Sequence, residues 1–579
     1  MKESKKGLRP AQSADSSPSG GHGESDPAGR TTSKSRRKFL GQLAGTAAAA
    51  AVSDLALSSR AQAGQKTAAL PNGTYAPLSE SELMARRAAS FNGRVKHAAL
   101  WRDVGFELPL ANDDELIYPL KFANCSRMLP HDGLGHVDLD AWNAFVTACH
   151  SGKPQDYEAI PLGGTRPLRN PLSSMCFDLC GYDSNQSIVA PAPAFASAWR
   201  AGEAVEVYWA ALLRDVPFAN WATDPLVAQA CADLSALSDY RGPKEGGLVT
   251  PNTIFRCAYP GGTRGPWLSQ FQLKDIQYGA QLIVQQLQAF APGTDYLTSY
   301  AEWLAIQNGG SFGPRAYDPV RRYVRDLRGA ATWVDADPPA QAAEYALAIL
   351  LGLATPFDAA NPYFNGQITT SDAFTTFGPV EWFDLGRVCR PAHEHAWFQK
   401  WRIHRTLRPE EYGGRVHNHL TGAFSYPLHP DVLNSAAVAQ TFSKQGTYLC
   451  SQAYPEGAPT HTSYPSGHST NVGATVTMLK ALFDEDFVIP DPVMPSADGL
   501  SLVPYVGPQL TVRGELNKLA WNIGWARCVG GIHWRSDVIE GNKLGQQASI
   551  GIMRDMKTAY REPYSGYTLT RFNGESVTI

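Results

Sequence analysis

The chain has 579 residues, 43% hydrophobic, 18% charged and 10% aromatic, enough apolar material for a large buried core and too much for a chain disordered throughout. A formal net charge of −3 and a pI of about 6.5 give no polyelectrolyte excess, so nucleic acid is not an expected partner. No run of about 18 to 20 apolar residues occurs, and no membrane span is expected.

Residues 1–34 are rich in Ser, Gly, Lys and Asp, almost lack large apolar side chains, and read as disordered. Ser35-Arg36-Arg37-Lys38-Phe39-Leu40 then precedes a mild Ala/Gly-rich stretch from Gly41 to Val52, and Ala61-Gln62-Ala63 supplies a small-x-small cleavage pattern. A twin arginine in that setting marks 35–63 as a Tat-type signal peptide, an address rather than an anchor. Export to the periplasm or the medium is expected, with the mature chain beginning near Gly64.

Apolar residues at three- and four-residue spacing predict amphipathic helices over Ser79–Val95, Ala194–Leu213, Pro225–Leu237, Ile276–Phe290 and Pro339–Leu353. Period-two patterns are few and short, so the expected fold is mainly α, helical bundles joined by long loops with little β. Pro161–Pro171, Pro260–Pro266 and Gly309–Pro319 read as loops that do not cut the chain into independent domains. The expected organisation is one unit over 64–579, with a helical N-terminal half (64–390) and a catalytic region (391–579). Nine cysteines are spread thinly, without C-x-x-C clusters. Cys176 and Cys180 have the spacing of one helical turn, suiting core thiols or a disulfide, and the odd count leaves at least one thiol unpaired.

Three later segments carry the chemistry. In the first, Lys400, His404 and Arg408 follow at i, i+4 and i+8, which would align them along a helix ended or kinked by Pro409; alone, the cluster also suits a solvated basic face. The second is His461-Thr-Ser-Tyr-Pro-Ser466-Gly467-His468. Val472, Val476, Leu479 and Phe483 mark a helix after it, so Ser466 and Gly467 fall near a helix N-terminus, where unpaired N–H groups favour an anion. The third runs from Arg527 to Asp537: Asp537 lies four residues after His533 and can hold one ring nitrogen, leaving the other as nucleophile or ligand. Singly, these are also a plain N-cap and a satisfied core histidine. Together, two Arg, one Lys, a Ser-Gly cradle and two His suit one dianionic tetrahedral oxyanion with an open apical position.

Lys-x7-Arg-Pro, Pro-Ser-Gly-His and Arg-x5-His, in that order, resemble the signature shared by vanadium haloperoxidases and type-2 phosphatidic acid phosphatases. Phe255-Arg256, Pro260-Gly261, Gly265-Pro266-Trp267-Leu268-Ser269-Gln270-Phe271, Ala331-Thr332-Trp333-Val334, Pro455-Glu456-Gly457 and Gly514-Glu515-Leu516-Asn517-Lys518-Leu519 are similar to the red-algal-type bromoperoxidases, and the resemblance covers most of the chain from about residue 80. It implies a haloperoxidase fold of two four-helix-bundle type and one vanadate per subunit, with hydrogen peroxide, halide and small organic acceptors as reaction partners. It further implies that His533 bonds vanadium, that Lys400, Arg408, Arg527, Ser466 and the Gly467 N–H hold the oxygens, and that His468, with His461 and Lys400, does the acid–base and polarising work. Asp537 as the support of His533 follows from spacing alone. His461 matches a bromoperoxidase position, whereas Trp397 matches the fungal chloroperoxidases; bromide is the expected halide, with chloride open. An acid phosphatase using His533 as nucleophile is the alternative for the same pocket, and an anion-binding protein without turnover the rival from outside the enzymes. The resemblance also implies a large homo-oligomer, of dodecamer size. Structural calcium is not assigned. His393-Glu394-His395 reads as a surface feature rather than a metal clip, because rings at i, i+2 diverge on a helix; His417 and His419 receive no role.

Overall fold

The computed structural model describes residues 79–363, 369–372, 375–378 and 381–579. The expected leader and its cleavage site lie outside the described residues. The described residues belong to one compact unit, and one apolar cluster runs through it from Phe122 to Ile579.

The longer helices, in chain order, are α1 (Glu80–Asp103), α2 (Leu139–Ser151), α3 (Ala198–Leu212), α4 (Pro225–Ala236), α5 (Tyr300–Gln307), α6 (Leu327–Trp333), α7 (Gln341–Gly352), α8 (Glu381–Phe398), α9 (Pro409–Leu420), α10 (Ala436–Gln445), α11 (Gly467–Leu482), α12 (Val512–Val529) and α13 (Arg535–Ala559). Three two-stranded hairpins supply the named strands: β1–β2 (Ile276–Tyr278, Gln281–Ile283), β3–β4 (Val493–Pro495, Leu502–Pro504) and β5–β6 (Thr568–Thr570, Ser576–Thr578). The fold is therefore mainly α, as the periodicity predicts. Among the described residues no helix is long and apolar enough to cross a membrane.

Helices α8, α11, α12 and α13 form a four-helix bundle with α11 at its centre. The α11–α13 seam is lined with glycine because the backbones nearly touch: a Cβ on Gly545 would meet the Thr470 carbonyl at 1.9 Å, and one on Gly473 the Asn542 carbonyl at 2.5 Å. Either added methyl would force the helices apart. A second helical group gathers α4, α10 and a short helix at Pro430–Leu433 around α3. Buried almost throughout, α3 joins both groups. By contrast, α1 has no buried residue.

Four of the five predicted N-terminal helices are present. Ile276–Phe290 is instead the β1–β2 hairpin and a following extended segment: Tyr278 pairs with Gln281, leaving Gly279-Ala280 as a two-residue turn with Gly279 at φ +60°, the conformation such turns require. The predicted Lys400–Arg408 helix is also corrected. α8 runs into a π-helical turn, Gln399–Ile403, and the chain leaves it at His404. Pro409 opens α9 rather than ending a helix, because its missing N–H costs nothing at a first helical position. All nine cysteines are free, and only Cys176 and Cys180 are exposed.

Candidate active site

The three motif segments converge at one end of the bundle. The π turn delivers Lys400, the N-cap of α9 delivers Arg408, and the start of α11 delivers Ser466, Gly467 and His468. Arg527 lies in the last turn of α12. Gly530 and Gly531 follow, Gly531 with φ +79°, and turn the chain so that His533 precedes α13.

His533 is fully buried, and its Nδ1 lies 2.7 Å from Asp537 Oδ2. The spacing argument is met, although through the first turn of α13 rather than a helix containing both residues. The carboxylate partner assigns the ring proton to Nδ1 and leaves the Nε2 lone pair as an acceptor, met here by Arg408 Nη1 at 3.4 Å; this is the tautomer of a metal ligand or nucleophile. Burial, then Arg408, Lys400 and Arg527, hold the His533 pKa well below the usual imidazole range, so the ring is neutral. Asp537 also accepts from Ser463 Oγ at 2.5 Å and the Trp534 amide at 3.3 Å.

Behind this pair, α3 presents Arg200, Glu203 and Glu206 at i, i+3 and i+6. Glu203 accepts from the Ser536 amide at 2.6 Å and pairs with Arg200 at 2.9 Å, acting as a distant cap for α13, whose own N-cap Trp534 supplies no side-chain oxygen. Glu206 pairs with Arg535 at 2.5 Å.

The cations in front have no such partners. Lys400, Arg408 and Arg527 are 0%, 0% and 6% exposed, and among the described residues none forms an ion pair. They meet carbonyls instead: Lys400 those of Thr462 and Ser463 (2.9 and 2.5 Å), Arg408 those of His461, Thr462 and Ile532, Arg527 that of Val334 (2.7 Å). Arg527 Nε is shielded from solvent with no hydrogen-bond partner among the described residues. Burial, then Arg408, lowers the Lys400 pKa well below the usual lysine range, and burial lowers that of Arg408 to about 10. Isolated buried charge is strongly unfavourable, so this cluster fits a permanent polyanion. The first amides of α11, those of Gly467 and His468, have no intrahelical carbonyl to meet and complete the cradle. These groups fit vanadate: one neutral imidazole nitrogen for the central atom, and cationic and amide donors for the oxygens.

His468 is one-third exposed and meets Asp337 Oδ1 at 3.0 Å. Burial raises the Asp337 carboxyl, but His468 and Arg527 outweigh it and leave its pKa below the ordinary value. His461 is buried, its Nδ1 3.1 Å from Arg408 Nη2; burial, Arg408 and Lys400 keep the ring neutral. Trp397 packs on it with centroids 4.9 Å apart.

Sequence reasoning missed three residues. Asp337 and Glu203 reach the site across 131 and 333 positions and have no local signature. His393 was legible, since it precedes Trp397 and Lys400 by four and seven residues. The surface reading of His393-Glu394-His395 is corrected: His395 is buried against Ser187 and Asp178, while His393 is half-buried against Trp397, beside Gly467. His404 stands edge-on to Tyr464. His417 stacks on Tyr300, and His419 accepts from the Tyr426 amide; all three have packing roles. Among the described residues no cluster of three His, Cys, Asp or Glu is arranged to hold a metal ion.

A family profile described as the VCPO second helical-bundle domain matches residues 439–561. The chain is 34% identical over 484 residues to a vanadium-dependent bromoperoxidase of Ascophyllum nodosum, covering 79% of this chain and 86% of that protein. It is 31% identical over 596 residues to one of Corallina officinalis, covering 86% and 99%. The homohexameric structure of the second vanadate-dependent bromoperoxidase of Ascophyllum nodosum superposes with a TM-score of 0.82 at 27% identity, covering 89% of this chain and 95% of that one.

Proposed function

This chain belongs to the vanadium-dependent haloperoxidase family and is a haloperoxidase; we propose that it uses hydrogen peroxide to oxidise bromide to a hypohalous species that halogenates small organic acceptors. One observation carries the reading at this site: three buried cations without carboxylates surround a neutral imidazole that a carboxylate holds by its other nitrogen. One vanadate per subunit would be bonded by His533 and held by Lys400, Arg408, Arg527, Ser466 and the Gly467 amide. Bound vanadate supplies a Lewis-acidic centre that makes peroxide oxygen electrophilic towards halide.

The protein's own part is positioning and proton handling. Asp537 fixes the tautomer and orientation of His533, and the buried cations neutralise the anion while excluding water. His468, held by Asp337 and reached by solvent, passes protons between peroxide and the outside. Lys400, whose Nζ is held by the Thr462 and Ser463 carbonyls, would place its positive charge beside the bound group and polarise an oxygen held there. His461 and Trp397, which indicated different halides in the sequence, touch one another and form one wall. A homo-oligomer is supported by the hexamer of the structural relative and by α1, whose Met84, Phe91 and Val95 are 52%, 60% and 51% exposed; light scattering separates a hexamer from a dodecamer. Export through the Tat route rests on Arg36-Arg37 and Ala61-x-Ala63.

Bromination of monochlorodimedone by purified protein with peroxide tests the function, comparing vanadate-free and vanadate-loaded samples in bromide and then chloride. Vanadate-dependent bromination is the expected result. Phosphate-ester cleavage without halogenation would move the chain to the phosphatase reading.

A further inference from the structure

The helix face that delivers Lys400 also delivers two rings above Gly467. His393, Trp397 and Lys400 stand at i, i+4 and i+7. A Cβ built on Gly467 would lie 3.1 Å from Trp397 Cζ3 and 3.9 Å from His393 Cδ2. The benzo edge of the indole and the carbon edge of the imidazole therefore both border the glycine whose amide would hold an oxygen of the oxyanion. The rings meet nearly at right angles, centroids 6.0 Å apart.

His393 differs from every other imidazole at the site. His533 meets Asp537 and Arg408, His468 meets Asp337, and His461 accepts through Nδ1 from Arg408. His393 is partly exposed, and neither ring nitrogen has a hydrogen-bond partner among the described residues. Burial, then His468 and Lys400, against Asp337, lowers its pKa to about 4, so near neutral pH the ring is uncharged and keeps one unspent N–H. The Trp397 indole N–H meets the Arg169 carbonyl at 3.4 Å, which points that donor elsewhere. A neutral N–H beside the electropositive edge of an aromatic ring suits a large, polarisable, weakly hydrated anion.

We propose that His393 is a halide-binding residue, donating its free ring N–H to the incoming halide, which rests against the benzo edge of Trp397 beside Gly467. The proposal rests on the haloperoxidase reading of this site and makes His393 a determinant of halide affinity, separate from the groups that hold vanadate.

The test pairs kinetics with a map. In vanadate-loaded enzyme, His393→Phe keeps a ring and removes the N–H; the KM for bromide should rise about tenfold, the loss of one hydrogen bond to a charged group. The KM for peroxide and the vanadate affinity by equilibrium dialysis should stay at wild-type values. His393→Gln, which restores a donor, should recover most of the loss. Independently of turnover, bromide-soaked crystals of the vanadate-loaded wild type should show an anomalous peak at hydrogen-bonding distance from a His393 ring nitrogen. A wild-type bromide KM in His393→Phe, or an anomalous peak elsewhere with none beside His393, overturns the proposal. If the wild type fails to oxidise bromide, the haloperoxidase reading falls while the anomalous map still decides the role of His393.

Discussion

Two sets of buried cations lie on either side of the α13 N-terminus, and they are built in opposite ways. Behind it, Arg200 and Arg535 each meet a carboxylate of α3, Glu203 and Glu206, and Glu206 raises the Arg535 pKa above its ordinary value against burial. In front of it, Lys400, Arg408 and Arg527 meet carbonyls and, for Arg408, the imidazoles of His461 and His533, but no carboxylate, and burial lowers the pKa values of Lys400 and Arg408. The same residue types at the same depth therefore serve different ends. A cation that brings its own carboxylate is architecture; a cation left without one is a binding site awaiting an anion.

The comparison is broken most severely by removing a partner from the rear set. Glu206→Ala leaves Arg535 buried and unpaired, and unfolding by denaturant should show a loss of about 3–5 kcal/mol whether or not vanadate is present. Arg527→Met removes a cation from the front set, where one carbonyl contact and a cation–π contact with Tyr454 are lost. Vanadate affinity should fall about 10- to 100-fold, with the thermal midpoint of the vanadate-free protein close to wild type. Equal stability losses in both variants would erase the distinction. Asp537→Asn keeps the shape but weakens the hold on the His533 proton; a drop in vanadate affinity of about tenfold or more is expected by dialysis.

A further effect lies in pH. Burial, together with Asp537 and against Arg200, pushes Glu203 from 4.5 up to about 7. Its ionised form is thus disfavoured in the folded state. The stability associated with its neutral form is complete below about 4.5 and is lost as pH rises to about 7, at roughly 1 kcal/mol per pH unit. Glu203→Gln should therefore gain on the wild type in thermal unfolding as pH rises through that window; a constant difference contradicts the assignment.

The front set was legible in the sequence because its residues lie in short motifs with local consequences. Pro-Ser-Gly-His before Val472 and Val476 names a helix start, and Asp537 four residues after His533 names a contact. The rear set was not, because Glu203 and Glu206 reach Ser536 and Arg535 across more than 300 positions and no spacing encodes that. Two elements were misread where local signals competed. Leu282, Ile283 and Leu287 imitate a helical face, yet the Gly279-Ala280 turn prevails. Pro409 reads as a helix stop until Glu411 is seen to accept from the Arg408 amide at 2.9 Å, which makes the proline a helix start. His393 was lost to its neighbour: considered with His395 it reads as surface, whereas counted back from Lys400 it faces the site.

The central claim is that the unpaired cations and His533 hold one oxyanion, and equilibrium dialysis of orthovanadate against wild type and His533→Ala tests it most directly. One vanadate retained per wild-type chain, with retention lost in a folded His533→Ala, is the predicted result. Wild-type retention by His533→Ala would show that the imidazole does not bond the metal and would contradict the account.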